Sequence, residues 1–66
     1  MAVAKVIELI SEGKNVEDAI ENALQEAAKT VKNIKHIYAE AIQAIVENNK
    51  VKSYRINAKV TFIVNS

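Results

Sequence analysis

The chain has 66 residues, a net charge of +1 with both signs mixed, half of its residues hydrophobic, no cysteine and one histidine. These values exclude disulfides, thiolate metal sites and an imidazole cluster, and argue against the basic face of a nucleic-acid binder. A lone core of this size rarely supplies more than about 3–5 kcal/mol, so self-association is the stabilising device left.

Residues 3–10 are rich in β-branched side chains and apolar on nearly both faces, interrupted by Lys5 and Glu8, and predict a strand. Ser11-Glu12-Gly13-Lys14, with the only glycine, predicts a turn. Asn15 then has the character of a helix N-cap, with Asp18 three residues on. Val16, Ala19, Ile20, Ala23, Leu24, Ala27 and Val31 follow at alternating spacings of three and four, which lays one apolar stripe along a helix. Glu17, Asp18 and Glu21 at its start and Lys29, Lys32 and Lys35 at or just past its end complement the helix dipole. Asn33 is the expected left-handed C-cap, with Ile34 packing back over the last turn.

Residues 36–47 predict a second strand, and Asn48-Asn49 a tight hairpin turn, because asparagine tolerates positive φ. Residues 52–64 alternate without a break. Tyr54, Ile56, Ala58, Val60, Phe62 and Val64 point one way, and Ser53, Arg55, Asn57, Lys59 and Thr61 the other. At roughly 3.3 Å per residue this third strand runs about 40 Å, more than so small a chain can cover on both faces. Pairing across the Asn48-Asn49 turn sets Ile37 against Val60, Ala39 against Ala58 and Ala41 against Ile56 on the helix side. The other side then carries His36, Tyr38, Glu40 and Ile42 with Arg55, Asn57, Lys59 and Thr61.

The predicted fold class is α+β: a β-α-β-β chain whose three-stranded antiparallel sheet wraps one helix, with the long third strand in the middle. The mixed second face has the composition of an interface or a ligand slot. The start of the chain does not read as a signal peptide, and no apolar run approaches the roughly 20 residues of a membrane span. A single soluble, cytoplasmic, self-assembling domain over residues 1–66 is expected, with no nucleic-acid or membrane partner.

Four segments in order carry a family resemblance. They are Lys5-Val6-Ile7-Glu8-Leu9-Ile10, then Val16-Glu17-Asp18-Ala19-Ile20, then Ala27-Ala28-Lys29-Thr30-Val31 with Asn33-Ile34, and last Tyr54-Arg55-Ile56-Asn57-Ala58-Lys59-Val60-Thr61-Phe62. In this order and spacing the chain resembles the dodecins over essentially its whole length. The resemblance implies β-α-β-β subunits in a hollow dodecameric shell that binds and stores flavin without catalysis. In flavin-binding dodecins a tryptophan three residues after the Asn33 position stacks on the isoalloxazine ring, and a glutamine directly after the Tyr54 position hydrogen-bonds its pyrimidine edge. Here those slots hold His36 and Arg55. Tyr-Arg in place of Tyr-Gln, together with the missing tryptophan, is similar to a branch of dodecin-like proteins for which calcium binding has been proposed.

The candidate ligand-binding residues are therefore His36, Arg55 and Tyr38. His36 would stack on a planar ligand, or pack at a subunit contact as the first residue of its strand. Tyr38, on the same face, supplies aromatic surface if the pocket is shifted by one pleat, and is otherwise an interface tyrosine. Arg55 suits a phosphate or carboxylate; the competing role is an intersubunit salt bridge to Glu40 or Glu47 of a neighbour. Carboxylates for calcium are scattered along the chain with no Asp-rich loop, so an ion site would have to gather one carboxylate per subunit on a symmetry axis. No nucleophile motif, glycine-rich phosphate loop or metal-ligand spacing is present, so no enzymatic activity is expected. The expected function is non-catalytic binding or storage of a small molecule, with a flavin as the leading candidate. The alternatives are a flavin-free relative binding calcium or an anion, and a purely structural oligomer.

Overall fold

A computed structural model describes residues 2–65. Strand β1 (Ala2–Gly13) is followed by helix α1 (Val16–Ala28), strand β2 (Ile34–Glu47) and strand β3 (Lys50–Asn65). The sheet order is β1-β3-β2 with both pairs antiparallel, so β3 is the centre as its unbroken alternation predicts. Ile56, Ala58, Val60 and Phe62 of β3 are buried under α1, which contributes Ala19, Ala23 and Ala27 from one stripe. Leu9, Val16, Ile20, Ile37 and Ala39 pack around the cluster. Alanine at each fully buried helix position lets the helix axis lie close to the sheet.

The helix starts as predicted and ends early. Asn15 Oδ1 accepts the backbone N–H of Asp18 at 2.7 Å, and Asp18 Oδ2 accepts that of Lys14 at 3.0 Å. At the other end the amides of Thr30 and Val31 both donate to the Ala27 carbonyl, and the Thr30 hydroxyl donates to the same oxygen. This tightened turn stops α1 at Ala28. Asn33 does adopt the left-handed conformation, with φ 62°, but it reverses the chain in the connection and does not cap the helix. Ile34 opens β2 opposite Phe62. Of the three lysines set against the dipole, only Lys29 stands at the helix end, paired with Glu26 at 2.9 Å.

Gly13 is the end of β1 and not part of a turn. Its φ is not positive; its need for glycine is steric. A Cβ there would lie 2.7 Å from the carbonyl carbon of Asp18, inside the first turn of α1. Ser11 Oγ donates to the Ala19 carbonyl and Asn22 Nδ2 to the Glu12 carbonyl, each at 2.8 Å, so β1 is fastened to the helix along this stretch.

The register of β2 on β3 agrees with the expected pairing from His36 to Glu40 and again at the turn, where Asn48 and Asn49 both have positive φ. Between these segments it is displaced by one residue. A bulge at Ala41-Ile42 on β2 introduces the slip, and a second irregularity, which leaves Lys52 unpaired on β3, cancels it. Ala41 therefore does not face Ile56, and Gln43 takes the place opposite Arg55 that Ile42 was expected to hold. Ala41 sits at φ 52°, where an L-residue pays a steric penalty of about 1–2 kcal/mol. Ala41→Gly is expected to raise the unfolding free energy by about 1 kcal/mol in urea melts, because glycine adopts this conformation freely. A lower midpoint would contradict the bulge.

The molecule is far from spherical. Its extents are 52 × 19 × 13 Å and its radius of gyration is 13.6 Å, against about 11 Å for a compact domain of this length. It exposes 4882 Å², where about 4200 Å² is usual for 7.3 kDa. The reason is geometric: 13 helical residues span about 20 Å, and the sheet they cover is more than twice as long.

Candidate functional site

Among the described residues no element covers the sheet face away from α1. Period-two alternation places four cross-strand rows on it: Val6–Thr61–His36, Glu8–Lys59–Tyr38, Ile10–Asn57–Glu40 and Glu12–Arg55–Gln43. Large apolar groups stand open among the charges, with Ile10 71%, Tyr38 59% and Val6 55% exposed.

Two ion-pair groups organise the polar side chains. Lys59 lies between two carboxylates, 3.1 Å from Glu40 and 3.9 Å from Glu8. The hydrogen bond and charge of Glu40, with a smaller contribution from Glu8, raise the Lys59 ammonium above its ordinary value. Arg55 donates through Nε at 3.2 Å and Nη2 at 2.8 Å to a single oxygen, Glu12 Oε2. The hydrogen bond and charge of Arg55 hold the Glu12 carboxyl below its ordinary value, with smaller help from Ser53 and Lys52. Solvent screens exposed pairs of this kind, so they add little to stability and mainly orient side chains.

All three candidate residues stand on this face, but not together. His36 and Tyr38 occupy adjacent rows on β2, about 7 Å apart along the strand. Arg55 is three rows from His36, so the two positions are about 20 Å apart along β3. No one small ligand can touch both within a single subunit. Within the chain Arg55 pairs with Glu12, Glu47 with Lys52 and Glu40 with Lys59. Glu12 was not legible as part of a site because β1 joins β3 through no short turn that would set their register. Gln43 was hidden by the bulge. A depression of about 230 Å³ on this face is lined by Glu8, Ile10, Glu40, Asn57 and Lys59 among others. That is below the 300–1,000 Å³ of an ordinary ligand pocket. Among the described residues no group of three or more His, Asp or Glu side chains is placed to hold a metal ion. No helix among them is long and apolar enough to cross a membrane.

The dodecin family model matches residues 3–65. This chain belongs to the dodecin family. Dodecins are small, non-catalytic flavin-binding proteins that form dodecamers. A mutant of the dodecin from Thermus thermophilus is similar over 100% of both chains, at 27% identity and a TM-score of 0.90. A second Thermus thermophilus structure, at the same identity, covers 100% of this chain and 98% of its own with a TM-score of 0.91. The dodecin from Streptomyces davaonensis shares the fold at 17% identity and a TM-score of 0.88, over 98% of this chain and 97% of that one. No curated protein sequence matches the chain. The β1-β3-β2 sheet around one helix is thus the dodecin subunit fold.

Proposed function

We propose that this dodecin is a non-catalytic flavin-binding protein that closes into a dodecameric shell and holds its ligand in the seams between subunits. The observation that carries this reading is the uncovered sheet face. His36, Tyr38 and Arg55 all stand on it, yet His36 and Arg55 are too far apart for one ligand in one subunit. Apposed copies bring the aromatic end of one face to the charged end of another and bury Val6, Ile10 and Tyr38 in doing so. His36 stacks on the isoalloxazine ring, Tyr38 adds aromatic surface beside it, and Arg55 contacts the polar edge of the ring system. A calcium-binding role has less support. Glu8 and Glu40 converge on this face, but Lys59 already lies between them.

The test combines light scattering with riboflavin fluorescence quenching on the purified protein. A large closed oligomer that quenches riboflavin is expected, with His36→Ala weakening binding about 10- to 100-fold, the usual effect of removing one stacking ring. A stable monomer at micromolar concentration, or unquenched riboflavin, would refute the proposal.

A further inference from the structure

His36 stands exposed near one end of the open face, in the row it shares with Val6 and Thr61. Neither neighbour carries a charge, and the row beyond holds Ala4 and Ile63. On β2, Lys35 is the adjacent residue, left without a partner on β3 by a register shift, and the phenol of Tyr38 stands in the following row. On β3, Lys59 lies diagonally across, about 8 Å away by strand spacing. Its ammonium is turned to Glu40 at 3.1 Å. On β1, Lys5 falls on the opposite face by alternation, and the first carboxylate is Glu8, one row on and two strands across, which also converges on Lys59. Glu40 is two rows from His36, about 13 Å along β2. Helix α1 packs on the other side of the sheet and adds no group to this face.

An imidazolium at His36 therefore has two lysines nearer than any acid of its own subunit on this face, and only solvent supports its charge. A planar ring laid on the imidazole removes that solvent. Desolvation disfavours the charged form, and the carboxylates that could compensate are engaged by Lys59. Histidine is the side chain whose charge ordinarily changes between about pH 5 and 8.

We infer that His36 makes retention of the ligand pH-dependent: the neutral imidazole keeps the stacked ring, and its protonation releases the ring as the pH falls. This inference rests on the flavin-binding reading above and adds a release mechanism to that site. The complex takes only the unprotonated imidazole, so binding expels a proton. Affinity is then full on the alkaline side of the histidine titration and falls about tenfold for each pH unit on its acid side. The two ion-pair groups of the face do not imitate this response through Glu12 or Lys59. Arg55 holds the Glu12 carboxyl below its ordinary value and Glu40 holds the Lys59 ammonium above its own, so both stay charged across the interval.

The experiment is a riboflavin fluorescence titration of the full-length assembled protein at about pH 8 and about pH 5.5, with light scattering at both. Riboflavin itself has no group that ionises in this interval. The unmodified protein is expected to bind about 10-fold more weakly at the lower pH with its oligomer intact. His36→Phe, which stacks but cannot take up a proton, is expected to bind equally at both. Calorimetry of the unmodified protein at about pH 6, in two buffers of different ionisation heat, should show a fraction of a proton released per riboflavin bound. Equal affinities of the unmodified protein at the two pH values, or binding without proton release, would overturn the inference and leave the flavin-binding reading intact. A loss at low pH that His36→Phe shows equally, or that accompanies break-up of the oligomer, would also overturn it by placing the titrating group elsewhere. Failure to bind riboflavin even at the higher pH would overturn both inferences.

Discussion

Val60→Asp is expected to yield no folded protein. Val60 is fully buried at the centre of β3, with Ile7 opposite it on β1 and Ile37 on β2. Among the described residues no buried polar or charged group lies in the core to pair with an introduced carboxylate. Leaving a buried charge without a partner costs several kcal/mol, and a single core of this size supplies only about 3–5 kcal/mol. Far-UV circular dichroism should show loss of the native spectrum, and light scattering should show loss of the oligomer. A soluble, native-like Val60→Asp protein would overturn the assignment of this face to the core.

Gly13→Val has the second largest expected effect, about 3 kcal/mol or more of destabilisation. The added carbons meet backbone atoms of Asp18 and Ala19, which cannot rotate away as a side chain would. To make room, α1 must move off the end of β1. That movement strains the contacts from Ser11 to Ala19 and from Asn22 to Glu12, both made across this junction. The midpoint of urea unfolding reports the loss directly. An unchanged midpoint would mean that the approach of the helix to β1 is looser than these distances indicate.

These two positions show how differently residues declare themselves. Val60 is legible from alternation alone, because neighbours two apart along residues 52–64 carry the same character and its face follows from theirs. Gly13 is legible only as punctuation: a lone glycine before a cap reads as a turn, and its steric role needs the packed helix to be seen. The candidate site divides along the same line. The residues of the open face follow from parity, so His36, Tyr38 and Arg55 are found there. The partner of Arg55 does not follow, because β1 and β3 are brought together across the whole helix and no local signal sets which carboxylate lands opposite.

The sequence by itself determined the four elements, the central place of β3, the face that β3 buries and the N-cap of α1 at Asn15. All of these arise from periodicity or from bonds between residues a few positions apart, and such interactions are the same in any tertiary setting. Only the tertiary structure decided that Ala41 adopts a positive φ and turns Gln43 toward Arg55, and that Glu12 holds Arg55. Bulges and long-range ion pairs are settled by how a long sheet twists over a short helix. That balance is struck among strands distant in sequence, where no run of neighbouring residues records it.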